Sequence, residues 1–324
     1  MLRIEFEQFG GPEVLKLVDV PAPEPGPGQV RVRQAAIGLN YIDTYHRSGL
    51  NPVRLPSSLG SEGAGVIDAM GEGVEGWRLG ERVAYAAGSP LGAYAECYVL
   101  PAAKLVRLPP EVDERTAAAV MLKGMTAEML LYRVFPVQSG QTILVHAAAG
   151  GMGSILCAWA ASLGVRVLGT VGSEAKVPLA KENGCAEVIL YDREDVAARV
   201  RDLTGGAGVP VVYDGVGAST FHASIKSLSR RGMLVNFGNA SGPAPPIAPI
   251  DLGRAGSLFL TRPGLFDYTA TRAELELSAD RVFDALAAGR FSPRVGQTFP
   301  LSQAREAHMA LHARTTSGAT LLIP

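Results

Sequence analysis

Residues 142–171 read TILVHAAAGGMGSILCAWAASLGVRVLGTV, and three signals follow one another in that stretch. The apolar, β-branched run at 142–147 predicts a strand, 151–163 (GMGSILCAWAASL) predicts a helix ended by Gly164, and 165–171 (VRVLGTV) predicts a second strand. Between the first strand and the helix lies HAAAGGMGS at 146–154, an A-x-G-x-x-G pattern with Ala148, Gly150 and Gly153 in its three marked positions. Glycine in the second position lets backbone approach a pyrophosphate, and glycine in the third lets the helix pack closely on the strand. The helix N-terminus then offers free N–H groups and the positive end of its dipole. Alanine in the first position weakens the bare motif, and the strand–turn–helix context restores its force. Gly150, Gly151 and Met152 are therefore the expected pyrophosphate-holding residues of a dinucleotide site. The bland alternative is a tight turn inside an ordinary α/β domain.

Downstream the alternation continues, with a helix at 174–183 ended by Gly184 and strands at 188–191, 209–214, 233–237 and 258–261. Apolar strands alternating with helices predict an α/β fold, a parallel doubly wound sheet of the Rossmann kind. Upstream the character is different. Short runs rich in valine and tyrosine at 29–37, 65–70, 82–86 and 94–100 are separated by loops such as PAPEPGPG at 21–28, whose prolines cannot sit in a central strand. This first third reads as β-rich with few helices. Around Asp113 alanine, leucine and methionine take over, and 114–132 predicts a helix or helical pair. After Pro263, helices at 271–288 and 302–313 and a strand at 319–323 are expected to return to the first domain. The expected division is thus 1–122 with 263–324 as one domain and 123–262 as the other.

Composition excludes little and is consistent throughout. The 324 residues are 47% hydrophobic and 19% charged, with a net charge of −1, which provides no electrostatic case for nucleic acid or an anionic membrane as partner. No apolar run approaches the roughly 18 residues that span a bilayer. The N-terminus, MLRIEFEQFG, is acidic and alternates like a strand, unlike a signal peptide. Three cysteines, Cys97, Cys157 and Cys185, stand far apart without a CxxC, as expected of a reduced cytoplasmic protein.

The tip of the second strand bears on cofactor choice. NAD-binding folds usually place Asp or Glu there for the ribose 2′-hydroxyl. Here the strand runs out as GTVGS at 169–173, followed by Glu174, Ala175 and Lys176. No carboxylate falls at the tip, and Ser173 and Lys176 are able to donate to a phosphate, so NADPH is the expected cofactor. Lys176 also fits an ordinary solvated helix position.

With these residues in view, the chain resembles the medium-chain dehydrogenase/reductase superfamily, and within it the zinc-free NADPH:quinone oxidoreductases of the zeta-crystallin type. The resemblance is carried by GGPEVL at 10–15, AIGLNYIDTYHRSGL at 36–50, LGSEGAGVI at 59–67, LGAYAE at 91–96, LKGMTA at 122–127, HAAAGGMG at 146–153, VVYDGVG at 211–217, NFGNASG at 236–242 and TRP at 261–263. It implies a GroES-like β-rich catalytic domain beside the Rossmann domain. It also shows where zinc is missing: Asn40 stands where zinc-dependent relatives carry a cysteine ligand, and Gly60-Ser61-Glu62 stands for their Gly-His-Glu. Amide and hydroxyl are poor zinc ligands, so no metal is expected. His308 and His312, spaced i, i+4, read as a helix surface feature rather than a metal pair. Without a Lewis acid to stabilise an alkoxide, the acceptor must take hydride readily, as a quinone or enone does.

The resemblance further implies site residues. Asn40, Tyr41, Asp43 and Tyr45 are expected at the nicotinamide and substrate side, with Asn40, Tyr41, Tyr45 and Lys123 as the catalytic candidates. Tyr41 and Tyr45 also fit as residues that simply fill the domain core, and Lys123 either supplies positive charge to an oxygen gaining electrons or pairs with Asp43 or Glu62. Thr126 is expected at the nicotinamide end, and Gly172, Ser173, Lys176, Tyr191 and Arg314 around the adenosine end. Phe237, Gly238 and Asn239, then Arg262, Pro263 and Leu265, are expected on the cleft rim. One departure concerns substrate contact: Asn51 stands where close relatives have tyrosine. Two other functions remain open here, an enone or alkenal double-bond reductase and a non-catalytic NADPH-binding protein. The apolar edge strand expected at 256–263 (GSLFLTRP) predicts a homodimer formed by continuous sheet.

Overall fold

A computed structural model describes residues 1–313 and 315–324, so the expectation for Arg314 lies outside the described residues. The chain forms two compact units, one of residues 1–125, 269–283 and 293–324, the other of residues 126–268 and 284–292.

In the second unit six strands lie in one parallel sheet: β1 (Thr142–Val145), β2 (Arg166–Val171), β3 (Cys185–Leu190), β4 (Val209–Asp214), β5 (Leu228–Asn236) and β6 (Phe259–Thr261). Their spatial order is β3-β2-β1-β4-β5-β6, the order of a doubly wound dinucleotide fold, with its switch point between β1 and β4. Both faces of the central strands are covered. Ile143, Leu144 and Val145 are fully buried, and Leu144, Leu168, Val212 and Leu234 share one core. The helix Gly151–Ser162 follows β1 as expected. A Cβ at Gly153 would stand 2.2 Å from the carbonyl oxygen of Ala147, so only glycine admits this approach of helix to turn. β6 covers three residues rather than the eight anticipated, and it forms one edge of the sheet.

The first unit is β-rich. Strands Val295–Pro300, Ala319–Ile323, Gln29–Leu39, Glu62–Met70, Arg82–Ala86 and Leu105–Arg107 lie side by side in that order, and Cys97–Pro101 also pairs with Gln29–Leu39. A small sheet of Lys16–Asp19, Leu2–Phe6 and Ser57–Ser58 stands beside it within the unit. Val295–Pro300 escaped the sequence reading because its alternation, VGQTFP, is weak and interrupted by glycine.

A second difference matters more. Tyr41–Ser48, inside a segment read as β-rich, is a helix. Its N-cap is Asn40 in extended conformation, and the carboxylate of Asp43 accepts the Asn40 backbone N–H at 2.8 Å. Gly49 ends it at φ 83°. Asn at the cap, an acid three residues on and glycine after the last turn were the available signal.

Candidate active site

In the first unit the strand Gln29–Leu39 ends at Asn40, and Glu62 opens the strand paired beside it. Glu62 is fully buried and accepts three donors. They are the Asn40 side-chain amide at 2.7 Å, the Leu122 backbone N–H at 2.6 Å and the Lys123 ammonium at 3.2 Å. Of the two roles open to Lys123 in sequence, the structure assigns its ion pair to Glu62. A Cβ at Gly38 would meet the Glu62 carboxylate at 2.2 Å, so the close seating of this acid depends on glycine.

The buried helix face builds a second chain. Arg47 is fully buried, and its guanidinium, which can only donate, binds the Gly10 carbonyl at 3.1 Å, His308 Nδ1 at 2.9 Å and His312 Nε2 at 3.2 Å. His308 must therefore carry its proton on Nε2, which donates to the Tyr94 oxygen at 3.1 Å; the Tyr94 hydroxyl in turn donates to Asp43 Oδ2 at 2.9 Å. Burial, with the neighbouring charge of Arg47, pushes the His308 imidazole down to about 3, so it stays neutral. Burial pushes the Asp43 carboxyl up to about 7, against the bonds from Asn40 and Tyr94 that favour the charged form. Nearby Glu62 raises it further and Lys123 opposes. Because Oδ2 takes both donors and Oδ1 has no partner among the described residues, a proton on this acid belongs on Oδ1.

The expectation that His308 and His312 mark a helix surface is thus corrected for His308, which is fully buried against Arg47 and Tyr94. Helical spacing reports that two residues share a face; which face is covered depends on what packs there. Tyr94, Arg47 and His308 are the residues that sequence reasoning missed in this cluster. Tyr41 is half-buried and its hydroxyl donates to the Leu311 carbonyl at 3.3 Å, whereas Tyr45 is buried at 8% exposure.

The second unit gathers the other candidates at the carboxyl ends of its strands, where open α/β sheets bind ligands. Gly150 precedes the helix Gly151–Ser162, whose first-turn N–H groups face no capping side chain. At the tip of β2, a Cβ on Gly172 would lie 2.3 Å from the Tyr191 hydroxyl, so these two residues come together. Ser173 directly precedes the short turn Glu174–Lys176, and Glu174, the acid just past the tip, is engaged by Arg193. After β5, Phe237 donates its backbone N–H to the Asp214 carbonyl at 2.8 Å, and Gly238 lies against Gly215 so closely that a Cβ would stand 2.3 Å from its carbonyl oxygen. Asn239 continues that turn and is half-buried. Arg262 is exposed and Pro263 buried directly after β6, and Leu265 opens the helix Leu265–Tyr268. Thr126 lies half-buried on the helix Glu114–Glu128.

Comparison with known proteins agrees with this layout. Residues 26–110 match the alcohol dehydrogenase GroES-like domain, and residues 151–264 match the zinc-binding dehydrogenase family. A GroES-like unit joined to a doubly wound nucleotide-binding unit defines a medium-chain dehydrogenase/reductase. The quinone oxidoreductase of Pseudomonas aeruginosa is 50% identical over 99% of both chains. The 2-haloacrylate reductase of a Burkholderia species is 44% identical over 97% of this chain and 96% of its own. The crystal structure of Escherichia coli quinone oxidoreductase complexed with NADPH covers 100% of both chains at 43% identity, with a TM-score of 0.98. The chain belongs to the quinone oxidoreductase family of that superfamily.

The name of the matched family raises the question of zinc. The donors at the corresponding positions are an amide, already bound to Glu62, the hydroxyl of Ser61 and a carboxylate that holds an ammonium ion. This set lacks the thiolate and imidazole that zinc requires, and a resident cation occupies its one acid. Among the described residues no group of three or more His, Cys, Asp or Glu is arranged to hold a metal.

Proposed function

We propose that this protein reduces quinones with NADPH and without metal, a domain of 1–122 and 263–324 receiving the acceptor and a domain of 123–262 holding the cofactor. The observation that carries the reading is the Lys123–Glu62–Asn40 cluster. It puts a buried ammonium and a fixed amide where zinc-dependent relatives hold their metal. NADPH, when bound, supplies the hydride. Lys123 and Asn40 offer donors to the oxygen that gains charge, while Tyr41 and Tyr45 position a flat acceptor. Gly150, Gly151 and Met152 receive the pyrophosphate at the helix N-terminus. Ser173, Lys176, Tyr191 and Arg314 take the 2′-phosphate and adenine, Glu174 being neutralised by Arg193. One quinone, one NADPH and one proton give hydroquinone and NADP⁺. NADPH consumption with 1,4-benzoquinone tests this directly, and no consumption above the acceptor-free rate would overturn it. Lys176→Ala should raise KM for NADPH about tenfold and leave NADH nearly unaffected; equal effects on both would remove Lys176 from the phosphate site.

A second reading is reduction of a carbon–carbon double bond conjugated to a carbonyl or carboxylate. It is favoured by the 2-haloacrylate reductase relative and by Asp43, a buried acid whose carboxyl is pushed up to about 7. Faster turnover of an alkenal than of benzoquinone would favour it.

We also propose a cytoplasmic homodimer. The three cysteines are free thiols, consistent with a reducing compartment. β6 is an edge strand whose Phe259 is 56% and Leu260 38% exposed, an apolar edge suited to pairing with a second copy. Sedimentation at micromolar concentration should find a dimer, weakened by Leu260→Asp; a fully active monomer would refute this assembly.

A further inference from the structure

Beneath the carboxyl ends of β1, β2, β4 and β5 lies a polar chain that no part of the reading above uses. His146 follows β1 and begins the glycine-rich turn; it is 2% exposed, with Nδ1 at 3.0 Å from Thr170 Oγ1 on β2 and Nε2 at 3.0 Å from Ser224 Oγ. The Ser224 hydroxyl reaches only acceptors besides histidine, Asp214 Oδ2 at 2.8 Å and the Thr220 carbonyl at 2.9 Å. Its single proton goes to the nearer of these, Asp214 Oδ2, so His146 must donate through Nε2 and accept at Nδ1 from the Thr170 hydroxyl. The chain therefore runs one way, Thr170 to His146 to Ser224 to Asp214. Burial lowers the pKa of His146, in keeping with a neutral ring.

Asp214, fully buried at the end of β4, is the terminus of that chain and the centre of others. Its Oδ1 accepts the backbone N–H of Val216 at 2.8 Å and of Gly217 at 3.0 Å, and Thr220 Oγ1 lies within 2.8 Å of both carboxylate oxygens. Its backbone carbonyl accepts the Phe237 N–H at 2.8 Å and the Asn236 amide at 3.3 Å at the end of β5. The turns after β1, β4 and β5 are thus tied to one residue. At the far end Thr170 holds the first turn directly, its carbonyl accepting the Ala148 N–H at 3.0 Å. That turn carries a backbone outlier, Ala147 at φ 55°, which needs support from its surroundings.

We propose that Asp214 is the positioning residue of the NADPH site, holding the glycine-rich turn in its binding conformation through Ser224 and His146 and the 237–239 turn through its own carbonyl. The inference rests on the cofactor reading above. A fully satisfied buried network of this kind specifies one loop geometry, and a cut link leaves a buried donor or acceptor unmatched.

The test uses the full-length protein, NADPH binding by fluorescence titration, steady-state kinetics and nitrogen-15 NMR of the histidine side chains, with His146→Gln identifying the His146 signals. In the wild-type protein His146 should be neutral and protonated on Nε2. Ser224→Ala removes the acceptor that this proton has among the described residues, and the signal should change to the Nδ1–H form. Asp214→Asn and Ser224→Ala should each weaken NADPH binding about tenfold, raising KM for NADPH in step while kcat falls far less. Ser224→Thr, which keeps the hydroxyl, should bind NADPH close to the wild type. Wild-type affinity in Ser224→Ala, or a wild-type His146 protonated on Nδ1, overturns the proposal. Should Asp214→Asn fail to fold, Ser224→Ala alone decides. Wild-type protein that fails to bind NADPH would refute the cofactor reading instead, and so the two failures are distinguishable.

Discussion

Asp214 and Asp43 are both fully buried and both end a one-way hydrogen-bond chain that passes through a neutral histidine. Their surroundings differ. Asp214 accepts from four donors, Val216 N–H, Gly217 N–H, Thr220 O–H and Ser224 O–H, spread over both oxygens. Asp43 accepts from two, Asn40 N–H and Tyr94 O–H, both on Oδ2, and it shares its surroundings with a second acid, Glu62. A buried carboxylate keeps its charge when hydrogen bonds replace water, and it takes up a proton when they fall short. The nucleotide-binding unit thus ties its aspartate to four donors as an anchor of its turns. The β-rich unit holds one whose carboxyl is pushed up to about 7, with a buried arginine two hydrogen-bonded groups away.

The contrast is broken most severely at Lys123. Its ammonium is the counter-ion of Glu62, whose side chain has no solvent exposure. Lys123→Met leaves that acid buried and uncompensated and should cost about 3–5 kcal/mol in chemical denaturation. Adding Glu62→Gln removes the stranded charge and should restore most of the loss; if the double variant is as unstable as the single one, charge compensation is not what Lys123 contributes.

A smaller effect separates the two aspartates by pH. The raised pKa of Asp43 means that its contribution is complete below the ordinary aspartate value near 4 and is lost as pH rises through about 7. The wild-type protein should lose stability from pH 5 to pH 8 at this site. Asp43→Asn keeps an oxygen for Asn40 and Tyr94 and removes the ionisation, so its stability relative to wild type should rise across that range, by at most about 3 kcal/mol. A constant difference between the two proteins from pH 5 to pH 8 would show that Asp43 is charged throughout.

The least effect is expected where charges face water. Arg193 and Glu174 form an ion pair with side chains 63% and 68% exposed. Arg193→Ala should change stability by less than about 1 kcal/mol, and less still in high salt. A larger loss would mean that solvent does not screen this pair as its exposure implies.

How much was legible from the sequence depended on the range of the interaction. The central strands of the nucleotide-binding sheet were readable, because their apolar runs are buried on both faces and the first two helices between strands are followed by Gly164 and Gly184. The A-x-G-x-x-G turn was readable for the same local reason: its glycines answer to atoms a few residues away, as Gly153 does to Ala147. The helix Tyr41–Ser48 had a local signal in Asn40, Asp43 and Gly49 that the surrounding strand-like composition hid. Tyr94, Arg47 and His308 had none, since 214 and 261 positions separate His308 from its two partners.

Local pattern, then, determined the two kinds of architecture, the glycine-rich turn and the missing carboxylate at the tip of β2. Each follows from residue type and short spacing, whereas the replacement of zinc ligands at Asn40 and Ser61 was implied by the family resemblance. Only the tertiary structure decided that Lys123 belongs to Glu62, that His308 is a core residue, and that the Asp43 carboxyl is pushed up to about 7. A residue's charge state is set by the donors, charges and water around it, and those are supplied by segments that meet only when the chain has folded.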